Sequence, residues 1–166
     1  RGLGDVYKRQ VFRIGYLIAT KAFVDEAAKL RRYIDRQGDA LLELTFAEYI
    51  KSGDLDRHIR KVIRIYKKRR DLFCQLLQEQ CGAFFSFTIP KGGMAVWVTL
   101  HKDYKWSNFI EAAKEFELTI PNYERYDMFY TGHNSVRIGF ATYNFEEIKQ
   151  LIRTLQLVCT RMTLIS

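Results

Sequence analysis

Two arginines in this chain sit where an arginine is out of place. Arg13 lies within Phe12-Arg13-Ile14-Gly15-Tyr16 and Arg137 within Ser135-Val136-Arg137-Ile138-Gly139-Phe140, both apolar runs of strand type. A guanidinium in such a run must find a partner or remain a costly buried charge. One solution is a structural carboxylate. The other is a ligand, because the arginine fork offers two parallel charge-assisted hydrogen bonds that match a carboxylate or a phosphate. The residues alone leave both open. They supply no catalytic group to go with the pair: His58, His101 and His133 are far apart and lack the i+3 or i+4 partner of a metal site, so each reads as a surface or structural histidine. No Ser, Cys or Thr stands in a nucleophile motif, and Glu146 and Glu147 read as helix-start charges favoured by the macrodipole.

The charge is localised. The chain carries a formal net charge of +8, and Arg57, Arg60, Lys61, Arg64, Lys67, Lys68, Arg69 and Arg70 fall in one stretch without an acidic residue. Without them the charge would be near zero. Basic residues at helical spacing can follow a phosphate backbone, which leaves a free-standing nucleic-acid-binding module as one hypothesis. No DNA-reading motif surrounds the run, however, and Asp71 and Glu79 continue the same helix with acids. A solvated helix face with some contacts to another domain is the preferred reading.

The 166 residues, 48% of them apolar, are enough for one domain with a core. No run is long and apolar enough to span a bilayer and no signal peptide is visible, so no membrane role and a cytoplasmic location are expected. Cys74, Cys81 and Cys159 have no metal-type spacing and read as reduced core thiols. Cys74 and Cys81 on one helix would be roughly 10 Å apart at about 1.5 Å per residue, beyond disulfide reach. Residues 1–10 show no apolar period and resemble a translated library adapter, so they are set aside as a non-native leader. Residues 11–162 then form the domain, and 163–166 a tail.

The elements that would position the two arginines follow from periodicity. Phe12, Ile14, Tyr16 and Ile18 alternate as a strand would, entering a helix marked by Phe23, Ala27, Leu30 and Tyr33. A second helix is expected from about Asp39 to Ile50. After the turn Ser52-Gly53-Asp54, with Asp54 available as N-cap, Leu55, Ile59, Val62, Tyr66, Phe73, Leu76 and Leu77 mark one face of a long helix that runs to about Gln80 and stops at Gly82. Strands are expected over Phe84–Thr88 and Met94–Leu100, joined as a hairpin by Pro90-Lys91-Gly92-Gly93. A helix over Ser107–Phe116, a brief strand at Leu118–Ile120, an aromatic-rich loop over Asn122–Asn134 and a last strand over Val136–Phe140 come next. Asn144 with Glu147 opens the final helix as a capping box. The result is an α+β domain in which helices cover one face of a small, mostly antiparallel sheet, with a long helix leading in.

From Val11 to about Met162 the chain resembles the C-terminal part of the fold-type I pyridoxal-phosphate-dependent aminotransferases (transaminases, class I/II). It is most similar to the aminotransferase-like region of GntR/MocR-type transcriptional regulators. The carrying segments are Arg13-Ile14-Gly15-Tyr16, Gly53-Asp54-Leu55-Asp56-Arg57-His58-Ile59-Arg60 with Tyr66 and Arg69-Arg70-Asp71, Gly92-Gly93-Met94 before Trp97, and Val136-Arg137-Ile138-Gly139-Phe140. The resemblance implies that Arg13 binds the cofactor phosphate and that Arg137 holds the α-carboxylate of a substrate or effector. It also implies that Gly92 and Gly93 shape a hairpin near that ligand, and that Tyr66 and the basic helix are structural. Ile63 stands where the resemblance expects an arginine.

By the same resemblance a Schiff-base lysine precedes the Arg13 segment. The matching position is Val6, and Lys8 has the wrong spacing and neighbours. The large domain that would hold the pyridine ring is not in the sequence. The expectation is therefore a fragment of an aminotransferase-family protein, using pyridoxal phosphate in the complete parent but not catalytically competent alone. Its partners would be an amino-acid or keto-acid ligand, the missing N-terminal large domain and, in the parent, a second copy as a homodimer. The alternative is the effector-binding and dimerisation part of a pyridoxal-phosphate-sensing regulator that contacts DNA only through an absent domain. The aminotransferase ranks above the regulator, and both rank above the nucleic-acid module.

Overall fold

The computed structural model describes residues 14–34, 38–120, 123–127, 129, 132 and 134–165. They divide into two compact units, one up to Lys61 and the other from Val62 onward.

The first unit holds α1 (Lys21–Ile34), α2 (Ala40–Lys51) and the start of α3 (Asp54–Cys81). Asp39 caps α2, its carboxylate accepting from the Leu42 backbone N–H at 3.0 Å, which satisfies one of the orphan donors of the first turn. The expected N-cap role of Asp54 is corrected. Gly53, at φ +73°, takes the cap position, since its carbonyl accepts from Arg57 N–H, and the Asp54 carboxylate instead pairs with the Arg57 side chain. Neither α1 nor α2 buries a residue, although Phe23, Leu30, Leu41 and Leu44 recur at helical spacing. Their amphipathic faces are formed but uncovered among the described residues.

The strand expected ahead of α1 is also corrected. Residues 14–20 adopt no regular structure and are almost wholly exposed, while Val11, Phe12 and Arg13 lie outside the described residues. Alternation alone does not make a strand; its N–H and C=O groups need a neighbouring ladder, and none is described beside this segment.

The second unit contains the core. It comprises the rest of α3, then β1 (Phe85–Phe87), β2 (Ala95–Leu100), α4 (Trp106–Glu115), β3 (Ser135–Gly139) and α5 (Phe145–Ile165), with a 3-10 turn at Tyr123–Tyr126. The three strands form one antiparallel sheet in chain order. The expected strand at Leu118–Ile120 reduces to a single bridge at Thr119. Inward residues Phe85, Val96, Val98, Leu100, Val136 and Ile138 meet Phe73 and Leu77 of α3, Trp106 and Phe109 of α4, and Ile148, Ile152 and Leu155 of α5 in one buried cluster. Helices thus cover one face of the sheet, as expected.

Three local devices hold this arrangement. The capping box at α5 is complete: Asn144 Oδ1 accepts from Glu147 N–H at 2.9 Å, and Glu147 Oε2 accepts from Asn144 N–H at 2.8 Å. Arg69 donates to the Ala141 carbonyl at 2.6 Å, and Arg70 bonds both Asp71 and the Pro90 carbonyl, so these two members of the basic run fasten α3 to neighbouring loops. Arg161 of α5 forms a two-pronged pair with Glu115 of α4.

Candidate functional site

The sheet register decides which residues share the face turned away from the helices. In β3, Val136 and Ile138 are buried, so the period of two places Ser135, Arg137 and Gly139 on the opposite face. Their partners on β2 are Thr99, Trp97 and Ala95 respectively. The face therefore carries three cross-strand rows: Thr99 with Ser135, Trp97 with Arg137, and Ala95 with Gly139.

Each row has a distinct chemistry. Thr99 Oγ1 and Ser135 Oγ lie 2.8 Å apart and satisfy one another, which explains why a serine is tolerated at near-complete burial. Trp97 is 46% exposed, and its ring stands perpendicular to that of Tyr126 with centroids 5.2 Å apart. The Ala95–Gly139 row is nearly bare: a side-chain atom added at Gly139 would meet only the Met94 carbonyl, at 3.9 Å.

Arg137 is exposed and makes no hydrogen bond or ion pair with any described residue. The carboxylate partner that one reading of the sequence expected is absent among the described residues. The burial problem does not arise either, because strand alternation turns this residue away from the core. Arg69, Arg70 and Arg161 have partners, and what distinguishes Arg137 is its place on the sheet face, in the row beside Trp97 and next to Gly139.

Gly92 and Gly93 lie in the loop between β1 and β2, both exposed and with no atom within 4 Å of an added side chain. Gly93 needs its lack of a side chain for its backbone, at φ +89°. The loop ends beside the far end of β3, since Phe140 N–H donates to the Met94 carbonyl at 3.1 Å. The hairpin therefore closes next to the Ala95–Gly139 row. Arg13 lies outside the described residues.

Other sequence candidates do not converge on this face. His58 is exposed on α3 and His101 follows β2, its backbone N–H donating to the Phe84 carbonyl, while His133 lies outside the described residues. Among the described residues no group of three or more His, Cys, Asp or Glu could hold a metal ion. All three cysteines are buried free thiols. Burial pushes the Cys74 thiol up to about 11, and a hydrogen bond to Cys81 together with burial pushes the Cys159 thiol up. That Cys81–Cys159 contact joins α3 to α5 across a sequence separation no local pattern reveals. No helix among the described residues is long and apolar enough to cross a membrane.

Residues 10–155 match the family described as aminotransferase class I and II. The chain belongs to this family. It is 28% identical over 144 residues to aromatic-amino-acid aminotransferase 1 of Thermococcus litoralis, covering 87% of this chain and 34% of that protein. It is 30% identical over 132 residues to an uncharacterised HTH-type transcriptional regulator, YisV, of Bacillus subtilis, covering 78% of this chain and 26% of that protein. The fold matches that of LysN, the alpha-aminoadipate aminotransferase of Thermus thermophilus solved with N-(5'-phosphopyridoxyl)-L-leucine, with a TM-score of 0.79, 21% identity, and coverage of 90% of this chain and 38% of that one. The chain thus spans about a third of the length of these relatives or less.

Pyridoxal phosphate is the cofactor this family implies, and the described residues do not form a holder for it. Arg137 is an exposed fork on an open face, suited to a single anionic group. The described part of the site thus offers a fork for one anionic group and not a holder for the whole cofactor.

Proposed function

We propose that this chain is part of a longer pyridoxal-phosphate-dependent aminotransferase and that Arg137 is its clamp for the carboxylate of the amino-acid or keto-acid ligand. The observation that carries the reading is the guanidinium of Arg137, without a partner among the described residues, on the open sheet face beside a row without bulky side chains. A fork in that position accepts a carboxylate by two parallel N–H···O bonds, which fixes both the position and the plane of the ligand. Such fixing turns encounter with a reacting partner into an intramolecular event and lowers its barrier without chemistry by the clamp itself.

When bound, pyridoxal phosphate supplies the electron sink for amino-group transfer. Arg13 would hold the cofactor phosphate, and Gly92 and Gly93 would let the hairpin backbone lie close to the ligand. The Ala95–Gly139 row leaves space for the carboxylate to approach. Among the described residues this site carries no His, Asp, Glu, Lys or Cys, and this stretch is read as positioning the ligand. The uncovered apolar faces of α1 and α2 fit covering surfaces in the longer protein, including a second copy.

The likeness to YisV favours a second reading, in which the same clamp holds an effector in a transcription regulator. The discriminating experiment uses the complete parent, supplied with amino acids and a keto-acid acceptor. The enzyme reading expects a new keto acid in step with amino acid consumed. Binding of amino acid without any keto acid formed supports the regulator. Neither binding nor turnover across the amino acids would overturn both.

A further inference from the structure

We propose that Trp97, braced by Tyr126, is a specificity-determining side chain of this face, and that the preferred ligand is an amino acid or keto acid with an aromatic or other large apolar side chain. This rests on the reading that Arg137 holds the ligand carboxylate, and it adds what lies beside that carboxylate.

Trp97 is the direct cross-strand partner of Arg137, and opposed residues of an antiparallel pair have Cβ atoms about 4.5–5.5 Å apart. A carboxylate oxygen bonded to the guanidinium lies about 3 Å beyond its nitrogens, and the ligand side chain begins at the second bond past the carboxyl carbon. An indole paired with Arg137 is within reach of that substituent. Trp97 is half exposed while Tyr126 meets it edge to face, so one part of the indole is held and the rest remains open to a ligand.

The neighbouring rows favour an apolar ligand side chain over a charged one. A second carboxylate on the ligand would need another cation, and neither flanking row of the β2–β3 face carries one. The Thr99 and Ser135 hydroxyls bond each other, so a ligand hydroxyl or amide reaching that row would compete with an existing bond. Ala95 and Gly139 offer no polar side chain at all. What the described β2–β3 rows present beside Arg137 is an aromatic surface, and an apolar ligand side chain loses no hydrogen bond by lying on it.

The test uses this chain and reads two signals by NMR: the Arg137 side-chain Nε–H and the Trp97 indole N–H. The second is assigned by its loss in Trp97→Phe, which leaves the buried Trp106 as the other indole. L-phenylalanine, L-alanine and L-glutamate are the probes. L-phenylalanine is expected to shift both signals, L-alanine to shift Arg137 alone, and phenylalanine to bind roughly 2- to 10-fold more tightly than alanine. Trp97→Ala should lower phenylalanine affinity to the level of alanine, and Trp97→Phe should restore part of the preference. Since Trp97 lies on the open face, circular dichroism is expected to show the fold unchanged in both variants.

Equal affinity for phenylalanine and alanine, with Arg137 shifting for both, overturns the role of Trp97 and leaves the carboxylate clamp standing. Tighter binding of glutamate overturns it likewise. No shift at Arg137 with any probe overturns the clamp itself, and the inference with it.

Discussion

Trp106 offers a measurement in which two opposing effects nearly cancel, so the result is sensitive to whether the packing is understood. The side chain is buried at the start of α4, between Phe85 and Phe109, with ring centroids 6.0 and 5.2 Å away. Its indole N–H is also buried and has no partner among the described residues. Trp106→Phe removes about two carbons of buried surface, which at ~0.8 kcal/mol per carbon costs roughly 1.6 kcal/mol. Incomplete collapse of the small cavity adds to that cost. The same substitution removes an unsatisfied buried donor, whose desolvation penalty is roughly 1–3 kcal/mol. The expected net change is within about 1 kcal/mol of zero, whereas Trp106→Ala, with no such compensation for its lost volume, should cost roughly 3–5 kcal/mol. Urea unfolding followed by far-UV circular dichroism compares the three proteins directly. A loss above about 3 kcal/mol in Trp106→Phe would refute the reasoning, because it would mean that the N–H makes a bond worth keeping.

Asn144→Ala should cost roughly 1 kcal/mol by opening the capping box of α5, and Glu147→Ala added to it should cost less than it does alone; a urea-unfolding double-mutant cycle with additive losses would contradict the reciprocal geometry. The Arg161 hydrogen bond holds the Glu115 carboxyl below its usual range. Its contribution is therefore present above the unfolded value of about 4.3 and fades as the pH falls through the lower folded value. Glu115→Gln should reduce stability at pH 7 and narrow its difference from the wild type in acid, and an acid-unfolding profile with a pH-independent difference would count against the pair. With the Cys74 thiol raised to about 11 by burial, any stability it confers is present below the unfolded value of about 8.5 and is lost as the pH rises toward 11. Below that range a thiol reagent should find none of the three cysteines in the folded chain and all of them in urea; a rapidly reacting thiol in the native protein would contradict their burial.

The sequence reading reached furthest where a signal was local. The Asn144–Glu147 spacing named a cap that forms as a reciprocal pair, and the period-two runs of β2 and β3 gave strands within a residue of their observed ends. The same alternation, read more strictly, would have placed Arg137 on the open face, because its neighbours Val136 and Ile138 are the buried ones. The period failed at residues 14–20, where a strand-like pattern has no ladder to join. It also could not tell which part of a long amphipathic helix is covered: the stripe of α3 runs from Leu55, yet burial begins at Phe73 and Ile59 remains exposed.

Contacts between distant segments had no sequence signal. The Cys81–Cys159 hydrogen bond and the Trp97–Tyr126 pair both depend on how the helices and the Tyr123–Tyr126 turn return to the sheet. Trp97 could be singled out because it follows the Gly92-Gly93-Met94 segment, but nothing in its neighbours identified Tyr126 as the ring beside it. The basic run is instructive in the opposite direction. Its composition invited a nucleic-acid reading, while two of its members, Arg69 and Arg70, bond backbone carbonyls of the adjoining loops.

On the proposed reading, Arg137 has no partner among the described residues because a ligand carboxylate is its partner. The most direct test is equilibrium binding of an amino acid to the complete parent, comparing the wild type with Arg137→Ala and Arg137→Lys, while the absorbance of bound cofactor is followed in parallel. Loss of charge-assisted bonds worth roughly 1.5–3 kcal/mol each should weaken amino-acid binding at least tenfold in Arg137→Ala. Arg137→Lys should recover only part of it, because a point charge replaces a fork, and cofactor retention should not change. Amino-acid affinity unaltered in Arg137→Ala would contradict the account.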